Sequence, residues 1–179
     1  MGDAETNVYD GMKVAITDVS VLFDLFNVGV LPEFFGLDIE IYTTDFIYNE
    51  ILQSAEKIEF EPFVRSGQLK IIVVDDAEQE TISTMVLTYA NRSIADKTAL
   101  YKALQMRCIL LTCDDKLKRE ANKRDLEVHG SIWVIDQLVE YDRINKKRAI
   151  EVIETLKTTN AWLPVEELNE RLNKYRAMV

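Results

Sequence analysis

Short apolar segments alternate with segments of helical periodicity along most of the chain, and this alternation constrains the fold more than any other feature. Residues 13–18 form an apolar run that ends at Asp18, and residues 19–30 then carry apolar side chains at helical spacing. The first pattern predicts a buried strand and the second a helix. Further strands are expected at 40–43, 69–74, 108–112 and 127–135. Strands separated by helices favour an α/β fold, with a parallel sheet covered on both faces.

Several predicted helices begin at residues that favour helix N-termini. Thr43 or Thr44 can cap a helix that runs through residue 54, and Ser93 is the expected cap of a helix over 94–106. Further helices are predicted at 59–66, 76–88 and 116–124, at about 136–157, where a break can occur, and at 164–175. Pro164 suits the first turn of the last helix, and we expect Trp162 and Leu163 to be packing residues.

The composition is typical of a globular protein of about one domain, with 179 residues of which 47% are hydrophobic. No apolar run approaches the ~20 residues that span a bilayer, and the N-terminus lacks the pattern of a secretory signal. We therefore expect a cytoplasmic protein with no membrane association. Cys108 and Cys113 are expected to be free thiols, because their spacing makes neither a disulfide framework nor a zinc site.

The charge is unevenly distributed. The net charge is -10, with -8 over residues 36–80 and +4 over residues 91–149. This asymmetry is compatible with an ordinary solvated surface, or with an acidic metal pocket beside a basic face. The single histidine, His129, excludes a histidine-rich metal site, and the absence of a G-x-S-x-G segment argues against a serine-histidine-aspartate triad.

Four scattered carboxylates are candidates for one site. Asp18 ends the first predicted strand, Asp114 follows the fourth, Glu50 lies in a helix between Ile47 and Ile51, and Asp96 falls in the first turn of its helix. Ligands of open parallel sheets collect at the carboxyl ends of strands. Clustered carboxylates repel each other unless a cation compensates them, and Mg²⁺ or Mn²⁺ with oxygen ligands can activate water for phosphodiester hydrolysis. Taken singly, each acid also has a structural interpretation as a helix cap or a solvated side chain.

Four sequence motifs around these acids resemble those of the PIN-domain family, in the same order. They are Ala15-Ile16-Thr17-Asp18-Val19-Ser20-Val21-Leu22, Thr44-Asp45-Phe46-Ile47-Tyr48-Asn49-Glu50-Ile51, Ser93-Ile94-Ala95-Asp96, and Leu110-Leu111-Thr112-Cys113-Asp114-Asp115. The resemblance implies a three-layer α/β/α fold whose five-stranded parallel sheet has the order 3-2-1-4-5. It also implies a metal-dependent ribonuclease, often the toxin of a VapBC-type toxin–antitoxin pair, with RNA as substrate, an antitoxin as partner and a homodimeric state.

Carried over by position, the resemblance makes Asp18, Glu50, Asp96 and Asp114 the catalytic and metal-binding acids. Because Asp115 directly follows Asp114, it is an alternative metal ligand. Ser20 and Thr112 would hydrogen-bond a ligand or a metal-bound water. Lys97, Lys116, Lys118 and Arg119 are candidate phosphate-binding residues, or else a solvated helix face. The expected organisation is a single domain over 1–179, with a core at about 12–139, a helical extension at 140–179, and a native or added tail at 1–11.

Two other functions are considered. A PIN fold can serve as a partner-binding module without catalysis, although all four acids are present in this chain. A phosphotransferase of the haloacid-dehalogenase type would use Asp18 as a nucleophile, but that family requires Asp-x-Asp and here the second position is Ser20.

Overall fold

A computed structural model describes residues 13–85 and 93–179 of the chain. In these residues five parallel strands form one sheet in the order β3-β2-β1-β4-β5, which confirms the predicted fold class and strand order. The strands are β1 (Lys13–Thr17), β2 (Ile39–Thr44), β3 (Leu69–Ile72), β4 (Ile109–Leu111) and β5 (Val128–His129).

Helices precede or follow every strand within the described ranges. They are α1 (Val19–Asn27), α2 (Leu31–Phe35), α3 (Asp45–Gln53), α4 (Lys57–Arg65), α5 (Asp76–Thr84), α6 (Ile94–Met106), α7 (Asp115–Asn122), α8 (Ser131–Glu140), α9 (Lys146–Thr159) and α10 (Val165–Arg176). In this part of the chain, no helix combines the length and the apolar character needed to cross a bilayer.

The sheet buries both of its faces because successive side chains of a strand point in opposite directions. In β1, Val14 and Ile16 belong to a core cluster shared with α6 and α7, whereas Ala15 belongs to a second cluster shared with α1, α8, α9 and α10. In β4, Leu110 lies in the first cluster, and its neighbours on either side lie in the second. The result is a three-layer arrangement of helices, sheet and helices.

The strand register brings the carboxyl ends of three strands to the same level. Thr17 is paired with Leu111, and Leu111 is paired with His129. The backbone N–H of Asp18 then donates to the carbonyl of Leu111 at 2.9 Å. Any side chain directly beyond β1, β4 or β5 therefore lies at one edge of the sheet.

The ends of several predicted strands and helices were wrong. The strand predicted over 127–135 ends at His129, and Ser131 begins α8, whose buried Ile132, Ile135 and Leu138 follow helical spacing. The first helix ends at Asn27 rather than at residue 30, and Gly29 has a φ of +67° before the unpredicted α2. The helix α5 ends at Thr84, and residues 86–88 of its predicted range lie outside the described residues.

The C-terminal helices pack onto the same core as α1. Val152 and Ile153 of α9 and Leu168 and Leu172 of α10 are buried in the cluster that contains Val21. A break at residues 141–145 separates α8 from α9, where the sequence allowed one. Leu163 is buried as predicted, but Trp162 is 92% exposed, so its prediction as a packing residue was wrong.

Candidate active site

Asp18 is the centre of a hydrogen-bonded group at the carboxyl edge of the sheet. The residue directly follows β1 and caps α1, and its Oδ1 accepts from the backbone N–H of Val21 at 3.2 Å. The Ser20 hydroxyl donates to the same oxygen at 2.6 Å, and the Thr112 hydroxyl donates to Oδ2. The carboxylate is only 4% exposed, so it depends on these donors in place of water.

Burial dominates the electrostatics of this carboxylate. Burial is the main reason that the pKa of Asp18 is raised to about 6, and the nearby charge of Asp96 acts in the same direction. The hydrogen bonds from Ser20, Thr112 and the backbone of Val21 act in the opposite direction, because they stabilise the ionised form. Asp18 is therefore a buried acid whose charge is only partly compensated by the protein.

Thr112 connects Asp18 with Asp114. While its hydroxyl donates to Asp18, the same oxygen accepts from the backbone N–H of Asp114 at 3.1 Å. The Asp114 side chain is half-buried and caps α7, where it accepts from the backbone N–H of Leu117 at 2.8 Å. Ser20 and Thr112 were predicted to hydrogen-bond a ligand or a metal-bound water, and in the structure both hydroxyls donate to Asp18.

Asp96 couples electrostatically to two other acids. It lies in the first turn of α6, where its backbone N–H donates to the Ser93 hydroxyl at 3.0 Å and its carboxylate accepts from the Ser93 N–H at 3.2 Å. Burial and then the charge of Asp96 raise the pKa of Glu50 on α3. The charge of Asp96 thus acts on both Glu50 and Asp18, which indicates that the three carboxylates share one electrostatic environment.

Two buried threonines position α3 against α6. The hydroxyls of Thr44, which caps α3, and Thr98, on α6, are 2.8 Å apart, and both side chains are fully buried. Thr44 was predicted from the sequence as a possible cap, but its contact with Thr98 was not predicted. This contact fixes the helix that carries Glu50 relative to the helix that carries Asp96.

The four acids do not all lie close enough to one another to bind one metal ion. Within residues 13–85 and 93–179, no group of three histidine, cysteine, aspartate or glutamate side chains is close enough to hold a metal ion. The donor set nevertheless consists of carboxylate oxygens, which hard divalent cations prefer. A cation would also compensate the burial and the charge of Asp96 that together raise the pKa values of Asp18 and Glu50. The residues present therefore fit Mg²⁺ or Mn²⁺ chemically.

The Asp114–Asp115 doublet divides into two different environments. Asp114 adjoins Thr112, whereas the side chain of Asp115 is 72% exposed, with an oxygen 4.0 Å from the Lys118 amine. Among the other candidate cations, Lys116 and Arg119 are exposed on α7. Lys97 is half-buried, and its amine donates to the carbonyl of Met85 at 3.3 Å, a contact that the sequence did not indicate.

A second buried carboxylate, Asp24, lies behind the site and was missed by the sequence analysis. Its Oδ2 accepts from the hydroxyl of Ser131 at 2.7 Å and from the thiol of Cys113 at 3.3 Å. Its Oδ1 accepts from the side-chain amide of Asn160 at 2.9 Å. The available signal was the position of Asp24 on the apolar face of α1, between Val21 and Leu25.

Cys113 supports the site structurally. Burial raises the pKa of its thiol to about 12, so the thiol stays protonated at neutral pH and is a poor nucleophile. Its backbone N–H donates to the Ser20 hydroxyl at 3.0 Å, which links the segment after β4 to the residues around Asp18. Cys108 is buried and, like Cys113, is a free thiol, as predicted.

Comparison with known families gives one match. A family model described as a PIN domain matches residues 14–177. The chain belongs to the PIN-domain family. PIN domains are generally nucleases that use divalent metals, so this protein has a nuclease-type fold. The match includes α9 and α10, and the PIN-domain likeness therefore extends beyond the four motifs into the C-terminal helices. No curated protein and no solved structure gives a significant match.

Proposed function

We propose that this PIN domain is a divalent-metal-dependent endoribonuclease that hydrolyses RNA phosphodiester bonds. The observation that carries the proposal is the environment of Asp18, a carboxylate that is 4% exposed, has a pKa raised to about 6, and is coupled to the charge of Asp96. Acidic residues with shifted pKa values are concentrated at functional sites. Asp114 is linked to the same carboxylate through Thr112, which extends the acidic site across two strand ends.

The residues that would hold the metal are Asp18, Glu50, Asp96 and Asp114. Bound Mg²⁺ or Mn²⁺ would supply Lewis-acid stabilisation of the phosphate and a water of lowered pKa. Asp115 is the weaker candidate, because its side chain is largely exposed and lies beside Lys118 rather than Thr112.

The hydroxyls of Ser20 and Thr112 prepare Asp18 for this role. They hold its two oxygens in fixed directions and favour the ionised form, which is the form that binds a cation. The backbone N–H of Val21 adds a third donor. The protein thus keeps one buried carboxylate oriented without supplying a nucleophile of its own.

The substrate phosphates would meet the basic residues of α7 and α6. Lys116 and Arg119 are exposed on the helix that Asp114 caps, and Lys97 follows Asp96 directly. We assign these three residues to binding the RNA backbone, in keeping with the net charge of +4 over residues 91–149.

The biological role that we propose is that of a cytoplasmic, homodimeric toxin of the VapBC type, neutralised by an antitoxin protein. Its support is the resemblance of the four motifs and the membership of the PIN-domain family. Expression of the chain should arrest growth, and co-expression of the product of a small adjacent gene for a DNA-binding protein should relieve the arrest. Growth that is unaffected by expression of a folded, RNA-cleaving protein would remove the toxin role but leave the ribonuclease activity.

One observation favours a second candidate, a PIN module that binds a partner without catalysis. Among the residues described, no three potential ligands lie close enough together to hold a metal ion. Calorimetric titration with Mn²⁺ separates the two functions. Binding that is lost in Asp18→Asn supports the nuclease, and the absence of binding to the unaltered protein supports the module.

The direct test of the proposed function is cleavage of a structured RNA in the presence of Mg²⁺ or Mn²⁺. Asp18→Asn should abolish cleavage while preserving the circular dichroism spectrum, and excess EDTA should abolish cleavage by the unaltered protein. A matched control is Asp38→Asn, because Asp38 is an exposed acid immediately before β2, at the opposite edge of the sheet. Full activity of Asp18→Asn, or full activity in EDTA, would refute the proposal.

A further inference from the structure

A cavity of about 270 Å³ lies where β5 is followed by α8, and the start of α10 forms its far wall. The volume is close to the lower limit of typical small-ligand pockets, which suits one ring system with a substituent rather than a large ligand. It is lined by the segment Val128 to Trp133, by Lys118, by Leu163 and Pro164 just before α10, and by Glu167 and Arg171 on α10.

An aromatic pair forms part of the wall. The rings of His129 and Trp133 are stacked, with centroids 4.2 Å apart and planes inclined by only 5°. Both side chains are half-buried, so the pair is held in place and still reaches the cavity. A preformed stack of flat rings is a surface on which a further planar ring can add with little loss of side-chain entropy.

The charged residues of the lining differ in how fully they are paired. Arg171 donates to Asp136 at 2.6 Å and lies 3.8 Å from Glu167, so both the cation and the acid at that wall are already engaged. Lys118 has a more distant partner, since its amine is 4.0 Å from an oxygen of Asp115. Lys118 is therefore the cation of this cavity best placed to accept an anionic group.

Gly130 leaves space between this lysine and the end of β4. A Cβ atom at Gly130 would lie 3.2 Å from the Lys118 amine and 3.2 Å from the carbonyl oxygen of Thr112. Any larger residue would have to displace the Lys118 side chain or the backbone that carries Thr112. The glycine therefore lets the Lys118 side chain lie close against the backbone at the wall of the cavity.

Backbone hydrogen bonds join the walls of the cavity to the segments that carry the acids. The backbone N–H of Thr112 donates to the carbonyl of His129 at 2.8 Å, so the aromatic pair is attached to the strand end that contacts Asp18. Lys118 lies one turn after Asp114 on the same helix, and its backbone N–H donates to the carbonyl of Asp114 at 2.9 Å. The cavity therefore lies at the same edge of the sheet as Asp18 and Asp114.

We infer that the cavity is a nucleotide subsite for a residue of the RNA strand next to the cleaved bond. Its base would stack on the His129–Trp133 pair, and its phosphate would face Lys118. The inference rests on the proposed ribonuclease function, and it adds the place where the strand is held. Because every base has a π-face, such a stack tolerates different sequences and contributes mainly to affinity.

The only histidine of the chain allows a direct binding test. In the unaltered protein, the carbon-bound imidazole protons of His129 give a single set of NMR signals that needs no further assignment. Titration with adenosine and with adenosine 5′-monophosphate should move these signals upfield in a saturable manner, and inorganic phosphate alone should not. Absence of a saturable shift with either adenosine compound would overturn the inference.

Substitutions then separate the contribution of the His129 ring to nucleotide binding from that of the Lys118 charge. Calorimetry should show roughly tenfold weaker binding of adenosine 5′-monophosphate by His129→Ala, with His129→Phe restoring most of the affinity. Lys118→Ala should weaken binding of the nucleotide but not of the nucleoside. Tyr141→Ala is the matched aromatic control, since Tyr141 is half exposed beside Lys13 and Asp38 at the opposite edge of the sheet. Equal weakening by Tyr141→Ala and His129→Ala would contradict the assignment.

Cleavage kinetics distinguish failure of the subsite from failure of the proposed function. His129→Ala should raise the KM for RNA by roughly tenfold with little change in kcat, whereas Asp18→Asn should abolish kcat. An unchanged KM in His129→Ala, together with an inactive Asp18→Asn, would refute the subsite and leave the ribonuclease intact. Full activity of Asp18→Asn would refute the ribonuclease, while the NMR titration would still decide whether the cavity binds nucleotides.

Discussion

The hydroxyl of Thr112 donates a hydrogen bond to the carboxylate of Asp18, although the two residues are 94 positions apart in the chain. The contact joins the ends of β1 and β4, which are neighbours in the sheet. It lowers the pKa of Asp18 against the larger effect of burial, which raises it to about 6. Thr112 therefore helps to set the pH range in which Asp18 carries its charge.

Replacing Thr112 by valine should raise the pKa of Asp18 above its value of about 6. Valine preserves the shape of the side chain but removes the donor to the buried carboxylate. A hydrogen bond to a charged group contributes about 1.5–3 kcal/mol, which corresponds to a rise of roughly 1–2 pH units. The pH at which Mn²⁺ affinity reaches half of its maximum, measured by calorimetry, should increase by that amount. Thr112→Ser retains the hydroxyl and should behave like the unaltered protein, and identical pH profiles for the valine and serine variants would contradict this role.

Asp18 should destabilise the metal-free protein at neutral pH. Its pKa is about 6 in the folded state, against an ordinary value of 3.8 for an aspartate side chain, so the folded state binds more protons between these pH values. Stability should therefore fall as pH rises from about 4 to 6. Asp18→Asn removes this titration, retains a good helix cap, and should raise the free energy of unfolding at pH 7 by up to about 3 kcal/mol.

Urea denaturation in EDTA at several pH values measures this effect. The difference in free energy of unfolding between Asp18→Asn and the unaltered protein should grow from pH 4 to pH 6 and then remain constant. Added Mg²⁺ or Mn²⁺ should stabilise the unaltered protein but not the variant. A variant that is less stable than the unaltered protein at pH 7 without metal would show that Asp18 contributes more through its hydrogen bonds than it costs through burial.

The fold was predictable because the sequence signals are local and repeated. Apolar runs that end at Asp18 and precede Asp114 predicted two strands, and the resemblance to PIN domains implied that these strands are neighbours. The strand expected over 127–135 failed because Gly130 ends β5 and the apolar residues beyond it follow helical spacing. A short apolar segment does not by itself distinguish a strand from a buried helix.

The interior of the site was less predictable than its acids. The contact of Asp24 with Asn160 joins residues 136 positions apart, and neither residue belongs to a motif. The hydroxyls of Ser20 and Thr112 were recognised as site residues, but their shared acceptor, Asp18, depends on the register between β1 and β4. Such partners follow from tertiary packing, which residue spacing along one chain does not encode.

The two members of the Asp114–Asp115 doublet should differ strongly on substitution. Asp114→Asn alters the half-buried residue whose N–H donates to Thr112, and it should reduce Mn²⁺ affinity and RNA cleavage by roughly a hundredfold or more. Asp115→Asn alters a side chain that is 72% exposed and should change both by less than about threefold. Calorimetry and cleavage assays on the two isosteric variants check this directly. The reverse ranking would assign the metal to Asp115.

Asp96→Asn should lower the pKa values of both Glu50 and Asp18. The charge of Asp96 raises the pKa of each residue, and asparagine removes the charge while retaining a side-chain oxygen for the Ser93 N–H. Burial would still hold both values above those of free side chains. Carboxyl ¹³C NMR titration of the metal-free protein measures the two shifts. A shift confined to one of the two acids would show that they do not share the field of Asp96.

Asn160→Ala should destabilise the protein by about 1–3 kcal/mol, because it removes a donor to the buried Asp24 carboxylate and leaves Oδ1 without that bond. The urea transition should remain cooperative and give a lower free energy of unfolding. Asn169→Ala is the matched control, since Asn169 is exposed and accepts from the amine of Lys157 at the surface. It should change stability by less than about 0.5 kcal/mol. Equal effects of the two substitutions would show that the buried contact between α1 and the end of α9 does not stabilise the fold.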